Sequence, residues 1–404
     1  MQNTKKTAYP ALRLVTHGLV ATTVAFMAPL PVHAQTVMTL YGILDAGLRA
    51  DHNTSAPPAG ATGPASLTAF GSGILNTSRF GLKGSEDLGD GLKANFNLEG
   101  GISDATGASS NSASLFDRRA VVGLSGAWGR LDLGRNTTFG YDITASYVTD
   151  PLGQELSNNK QGTLNKAWTL NPLSTLYSTN FTTIRRDNGL KYLGSFDDFS
   201  VGLAYALGGV AGSSSANASI QGLLRYTGAG FDLAGTYDDL KDSTGTKHLK
   251  TANVGGNYTH SGLKFIVGYT QQQADPGFTS SPAALTGATA TAPDAYIPGV
   301  AALSAANAAT VTGVKLSVAD LGLSYNFTPA LNVVGAYYQT NLSAHGVNSS
   351  KLNTYVVRAR YALSKQTDLY AEADQSNSSG ISAAATAGKA TNDTGVAAGL
   401  QVRF

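Results

Sequence analysis

The sequence predicts an all-β protein, a transmembrane barrel of 16 antiparallel β-strands. Three observations predict it: strand-length segments in which apolar and polar residues alternate, short turns that alternate with long polar loops, and a chain that ends on an aromatic residue. Alternate residues of a strand point to opposite faces, so each segment has one apolar face. A closed barrel can turn that face to lipid because its strands satisfy each other's backbone groups.

Residues 1–34 have the pattern of a secretory signal peptide. A basic start is followed by an apolar run at 14–30 and by a small-residue cleavage site at 31–34. The alternative is a membrane-anchoring helix, which is disfavoured because Thr16, His17, Gly18 and Pro29 interrupt the run. We therefore expect the barrel domain to cover residues 35–404. The loss of Lys5, Lys6 and Arg13 changes the formal net charge from +2 to −1.

Turn and loop signals then place the strands along residues 35–404. The segment 87–91 contains an Asp-Gly pair, which supplies the positive φ angles of a tight turn. Long loops are predicted at 52–72, 137–182 and 274–312, where small and polar residues dominate. The predicted strands are 37–51, 74–86, 92–103, 115–126, 130–136, 184–194, 199–208, 218–227, 230–240, 250–259, 263–273, 314–327, 331–341, 351–363, 366–377 and 393–404.

Alternation within these strands is clear but does not by itself decide the fold. Phe199, Val201, Leu203, Tyr205 and Leu207 share one face, opposite Ser200, Gly202, Ala204 and Ala206. A β-sandwich would alternate in the same way. Short turns at one end of every hairpin and long loops at the other are instead typical of outer-membrane barrels. A barrel of this strand number is wide enough for an aqueous channel.

The last strand has the alternation that is most specific for a transmembrane barrel. Phe404, Val402, Leu400, Ala398 and Val396 form its apolar face, and Arg403, Gln401, Gly399, Ala397 and Gly395 form the other. About ten alternating residues that end on an aromatic residue are the unit of a transmembrane barrel. We expect this strand to close the barrel against the first one.

Composition argues against several other classes of function. There is no cysteine, which excludes disulfides and thiolate metal sites. The histidines after the signal, His52, His248, His260 and His345, lack metal-ligand spacing. Phosphate-binding, dinucleotide and nucleophile-elbow motifs are missing from the sequence. We therefore expect no enzyme activity, no cofactor, no metal and no nucleic-acid partner.

Four short stretches resemble the general trimeric porins of Gram-negative outer membranes, particularly the beta-proteobacterial type. They are Thr39-Leu-Tyr-Gly-Ile-Leu-Asp-Ala-Gly47, Ser78-Arg-Phe-Gly-Leu-Lys-Gly-Ser-Glu-Asp-Leu-Gly-Asp-Gly-Leu92, Phe116-Asp-Arg-Arg-Ala-Val-Val-Gly-Leu-Ser-Gly126 and Leu131-Asp-Leu-Gly-Arg135, joined by the terminal Val402-Arg-Phe404. The resemblance implies a homotrimer with a third loop folded into each lumen. It also implies an outer-membrane location, with lipid and lipopolysaccharide around the barrel, and recognition of Phe404 by the assembly machinery.

Three arginines are candidates for the basic side of a pore constriction. Arg79 alternates with Gly81 and Lys83, so it is expected to face the lumen. Arg118 aligns with a barrel-wall arginine of the family. Arg185 is in step with other polar residues, with Arg186 as the alternative if the register shifts by one residue. The competing interpretation is that these arginines only stabilise the barrel through lumenal ion pairs.

The opposing acidic side is predicted on the third loop, at Asp142, Asp150 and Glu155. Where enteric relatives carry Pro-Glu-Phe-Gly, this chain has Asp150-Pro-Leu-Gly153. The alternative is that these acids lie on a solvated surface loop. Because charged rings set the selectivity of a pore, three arginines against fewer acids predict a modest preference for anions.

The predicted function is therefore passive diffusion of small hydrophilic solutes and ions through a water-filled pore. A substrate-specific channel would typically show lumenal aromatics or a denser arginine track, and neither is evident. A β-rich surface adhesin would not need an apolar face on every strand. An outer-membrane enzyme would need a Ser/His or Asp/His site, which the sequence does not supply.

Overall fold

The computed structural model describes residues 37–55, 65–110, 114–153, 184–276, 278, 312–345, 347–379 and 392–404, and it confirms a closed antiparallel β-barrel. One helix is present in these ranges, α1 (Phe139–Ala145). The strand segments are β1 (Val37–Ser55), β2 (Ala65–Ser72), β3 (Arg79–Gly89), β4 (Leu92–Gly101), β5 (Arg119–Gly126), β6 (Gly129–Thr137), β7 (Arg185–Phe196), β8 (Phe199–Ala206), β9 (Ser219–Gly228), β10 (Phe231–Lys241), β11 (His248–His260), β12 (Leu263–Ala274), β13 (Thr312–Asn326), β14 (Leu331–His345), β15 (Val347–Ala362), β16 (Thr367–Ser379) and β17 (Asn392–Arg403).

The first and last strands close the barrel. β1 pairs with β17 from Ile43 opposite Arg403 to His52 opposite Thr394. The backbones of Gly42 and Phe404 exchange two further hydrogen bonds, of 2.9 and 3.1 Å. The terminal aromatic residue is thus part of the closure, as the pattern of the last strand predicted.

The second barrel strand differs from the prediction, because it is built from two segments. β2 and β3 both pair with the same side of β1, β2 with residues 46–55 and β3 with residues 37–43. Counting them as one strand gives the 16 strands of the barrel. The sequence pattern placed a loop at 52–72 and a strand from residue 74. In the structure β2 occupies part of that loop, and residues 73–78 form a bend between the two segments.

The outer surface of the barrel is apolar. Leu203, Val254 and Val357 each expose more than half of their side-chain surface, although each is flanked by residues that point inward. A β-sandwich would bury such rows in a dry core, whereas a barrel in a membrane turns them to lipid. The apolar faces that the alternation predicted therefore point outward.

Turn geometry explains the tight ends of the hairpins. Asp90 and Gly91 join β3 to β4 with φ angles of 51° and 77°, and Ser261 and Gly262 join β11 to β12 with 49° and 81°. Two successive positive φ angles match the twist of a hairpin.

Within the described residues, no helix has the length and hydrophobicity needed to cross a membrane.

Candidate pore constriction

The described start of the third loop, residues 138–153, enters the barrel with helix α1. Thr138 caps the helix, since its side-chain oxygen accepts a hydrogen bond from the Tyr141 backbone N–H. Phe139 and Ile143 are buried against the inner wall, in a cluster with Val148, Leu223 of β9 and Ala234 of β10. The apolar face of α1 thus fixes the helix to the wall.

An ion pair holds the start of the same helix. Lys191 of β7 donates to Asp142 Oδ2 at 2.5 Å and to the carbonyl oxygen of Thr137 at 2.8 Å. Its Nζ also lies 4.5 Å from the centroid of the Phe139 ring, which is cation–π geometry. These contacts set the rotation of α1, and with it the direction of Tyr141.

The loop then follows the inner wall towards β15. Lys264 of β12 donates to the Tyr147 carbonyl oxygen at 2.7 Å. Tyr338 of β14 donates to Asp150 Oδ1 at 2.6 Å. Leu152 is fully buried in a cluster with Val318, Val334, Ala336, Tyr338, Leu352 and Val356. The inward fold of the third loop, which the resemblance implied, is confirmed.

Glycine on the wall makes room for this loop. A Cβ atom at Gly268 of β12 would overlap the carbonyl oxygen of Thr149, whereas one at Gly335 would have no atom within 4 Å. We expect Gly268→Ala to displace the loop, at a cost of about 1–3 kcal/mol, and to change the single-channel conductance. Gly335→Ala is the matched control and should conduct as the wild type does. Equal conductance of the two variants would show that the loop does not need the space beside Gly268.

The three predicted arginines meet at Tyr141 of α1. Arg118 donates from Nε to Glu99 Oε1 at 2.6 Å and from Nη2 to the Tyr141 hydroxyl at 3.4 Å. The Arg185 guanidinium lies 5.8 Å from the centroid of the Tyr141 ring, and its Nε donates to the Arg118 carbonyl oxygen at 2.8 Å. Arg79 faces the same Tyr141, Arg118 and Glu99. We call Arg79, Arg118 and Arg185 the arginine cluster.

Arg186, the alternative to Arg185, lies elsewhere. It donates to Asp238 Oδ2 of β10 at 2.7 Å and to Ser219 Oγ of β9 at 3.1 Å. A register shift in the β6–β7 pairing between Gly134 and Asn136 accompanies this arrangement. A bulge of this kind breaks strict alternation, so two successive arginines both reach the interior, in different directions.

Two of the predicted acids, Asp142 and Asp150, bond to residues outside the arginine cluster. Asp142 pairs with Lys191, as described above, and accepts from Thr137 Oγ1 at 2.7 Å. Asp150 is buried and accepts from Tyr338 and from the Leu152 backbone N–H. Glu155 lies outside the described residues. A role for these three residues in selectivity stays a prediction.

Sequence reasoning missed two residues that contact the cluster, Glu99 and Tyr141. Glu99 on β4 accepts from Arg118 and also, through Oε2, from the Tyr41 hydroxyl at 2.9 Å. It follows Asn97 at strand spacing, opposite Phe96 and Leu98, so alternation could have placed it in the lumen. Tyr141 carries no such signal, because its position depends on a helix within a long loop.

Two further arginines lie beside the cluster with their own partners. Arg119 donates to Thr137 Oγ1 at 2.9 Å. Arg135 donates to Asp187 Oδ1 at 2.5 Å and to the Asp117 carbonyl oxygen at 2.6 Å. Both arginines thus have partners of their own. Among the described residues, Glu99 is hydrogen-bonded to the arginine cluster, and Asp117 lies close enough to Arg185 to interact with its charge.

Comparison with known proteins agrees with this architecture. The family model described as Gram-negative porin matches residues 21–381. An outer membrane porin protein of Bordetella pertussis is 30% identical over 370 residues, covering 84% of this chain and 88% of the relative. Outer membrane porin protein 32 of Delftia acidovorans is 34% identical over 155 residues, or 37% of this chain and 42% of that protein.

Solved structures show the same fold. An anion-selective porin from Comamonas acidovorans matches with a TM-score of 0.65 and 21% identity, covering 92% of this chain and all of that chain (100%). A trimer form of OmpT from Vibrio cholerae matches with a TM-score of 0.57 and 13% identity, covering 91% of this chain and 99% of that chain. By the extent of these matches, and by its barrel, the chain belongs to the Gram-negative porin family.

Proposed function

We propose that the barrel is a passive diffusion channel for small hydrophilic solutes and ions, with a modest preference for anions. As a porin the chain is an outer-membrane protein. The family and its structural relatives are channels rather than enzymes. The observation that carries the preference for anions is the arginine cluster, in which three guanidinium groups meet beside the helix of the inward-folded loop and Arg118 is hydrogen-bonded to Glu99.

Electrostatics explains why such a cluster would select by charge. Two unit charges 4 Å apart interact by about 1 kcal/mol in bulk water, which changes a population by roughly fivefold at 25 °C. Screening extends over about 10 Å at 0.1 M salt, so the effect is greatest where the lumen is narrow. An uncompensated positive charge at that point attracts anions and repels cations.

The assembly and export of the protein are part of the same proposal. We infer a homotrimer in outer-membrane lipid and lipopolysaccharide, in line with the trimer form described for the OmpT structure. Residues 1–34 would direct export and then be removed. Phe404 exposes about half of its surface (48%) at the end of the closing strand, where the assembly machinery could recognise it before the barrel closes.

The selectivity is tested by reversal potentials of single channels in a KCl gradient. We expect an anion-selective wild type, and a permeability ratio that falls by about fivefold in Arg118→Ala, as expected for the loss of one nearby charge. Arg225→Ala is the matched control, since Arg225 is bonded through two nitrogens to Asp232, at 2.8 and 2.7 Å, and lies outside the cluster. A cation-selective wild type would refute the proposed preference.

A further inference from the structure

Tyr141 places a hydroxyl group between the guanidinium groups of the arginine cluster. Arg118 donates to this hydroxyl, and the Arg185 guanidinium lies against the ring. An anion in the pore would seek the same donors, because guanidinium groups bind anions through N–H groups in a fixed plane. The phenol therefore competes with a passing anion for the same hydrogen bonds.

The position of Tyr141 is fixed independently of the arginines. The side chains two residues before and two residues after it, Phe139 and Ile143, are buried together against the inner wall of the barrel. Residues two apart on a helix point in nearly opposite directions, so burying these two side chains turns Tyr141 into the lumen. The pair between Lys191 and Asp142 prevents the helix from rotating.

We propose that Tyr141 is a specificity-determining residue of the pore: its hydroxyl group occupies donors of the arginine cluster and so sets how strongly the cluster attracts anions. This inference rests on the proposed function. It adds that the inward-folded loop contributes a ligand to the arginines as well as narrowing the lumen. The guanidinium N–H donors of the cluster are then shared between the Tyr141 hydroxyl group and the permeating anion.

A consequence is that the attraction of anions depends on pH. The charged groups that face Tyr141 are Arg79 from β3, Glu99 from β4, Arg185 from β7, and Arg118 immediately before β5. Burial raises the pKa of the Tyr141 phenol, but the three guanidinium groups, Arg118 foremost, outweigh burial and lower the pKa below its ordinary value. As the pH rises through that lowered pKa, the phenol becomes a phenolate and cancels one positive charge of the cluster.

The experiment measures reversal potentials in a KCl gradient from about pH 7 to about pH 10, the ordinary pKa of tyrosine, for the wild type, Tyr141→Phe and Tyr337→Phe. We expect the anion-to-cation permeability ratio of the wild type to fall by about fivefold, as for one added charge, and that of Tyr141→Phe to fall less. Lysines that deprotonate in this range affect all three proteins equally. The Tyr337 hydroxyl donates to Asn353 Oδ1 at 2.9 Å and lies outside the cluster. Tyr337→Phe should therefore have the same pH profile as the wild type.

A pH profile of Tyr141→Phe identical to that of the wild type overturns the inference, and so does an equal change in Tyr337→Phe. If Arg118→Ala lowers selectivity while Tyr141→Phe has no effect at any pH, only the role of Tyr141 fails. If Arg118→Ala also leaves the reversal potential unchanged, the proposed function fails with it.

Discussion

Replacing Leu152 with aspartate is expected to detach the end of the third loop from the barrel wall and to raise the single-channel conductance. Leu152 is fully buried (0% exposed) against side chains of β13, β14 and β15. Removing a buried leucine side chain costs about 2–5 kcal/mol. The new carboxylate would also lie without a cationic partner in this apolar cluster, two residues from the buried Asp150, and burying an unpaired charge adds to that cost.

The effect is expected on the pore rather than on the barrel, because the strands keep their own ladder of hydrogen bonds when the loop leaves. Leu152→Met is the matched control, since a swap that conserves volume costs less than about 1.5 kcal/mol. Circular dichroism would verify that both variants keep their β-structure, and single-channel recording would compare their conductance. A Leu152→Asp channel with wild-type conductance would show that the loop does not narrow the pore.

The strands and their faces could be predicted from the sequence because both depend on a local period of two residues. Leu203 and Val254, for example, point outward because alternate residues of a strand face opposite sides and their sequence neighbours face inward. Arg79 was placed in the lumen by the same rule. The choice between Arg185 and Arg186 stayed open, because the bulge at Gly134–Asn136 lies on the neighbouring strand.

The contacts of the site could not be predicted in the same way, since they join residues far apart in sequence. Asp142 and Asp150 were selected only because they are acidic residues of a long loop. Their carboxylates bond instead to Lys191 and Tyr338, residues that alternation alone does not connect to the loop. Similarly, nothing local marks the bend at 73–78, which depends on Asp45 about 30 residues earlier in the chain.

Replacing Asp45 with alanine is expected to destabilise the barrel and to reduce its selectivity together. The Asp45 side chain is fully buried (0% exposed) and accepts hydrogen bonds from the backbone N–H groups of residues 74–76, at 2.9 to 3.2 Å. It also accepts from the Tyr370 hydroxyl and from Gln401 Nε2, each at 2.8 Å. One carboxylate thus ties the bend to β16 and β17.

Without this carboxylate several buried donors lose their acceptor. A buried group left without a partner costs about 1–3 kcal/mol, so we expect the free energy of unfolding to fall by about 3 kcal/mol or more. Ile74 and Leu75 are buried against Tyr370 and Ala397 on the inner wall, and their packing would loosen with the bend. Equilibrium unfolding in urea, with the protein in lipid vesicles, measures this loss.

The change in selectivity follows because Arg79 comes directly after the bend. Its Nε donates to the Thr77 carbonyl oxygen at 3.0 Å, so a displaced bend moves one arginine of the cluster and lowers the anion-to-cation permeability ratio. Asp87→Ala is the control, because Asp87 accepts an exposed hydrogen bond from the Gly89 N–H at 2.9 Å, worth about 0.5–1.5 kcal/mol. If Asp45→Ala unfolds at the same urea concentration as Asp87→Ala and keeps wild-type selectivity, the bend does not position Arg79.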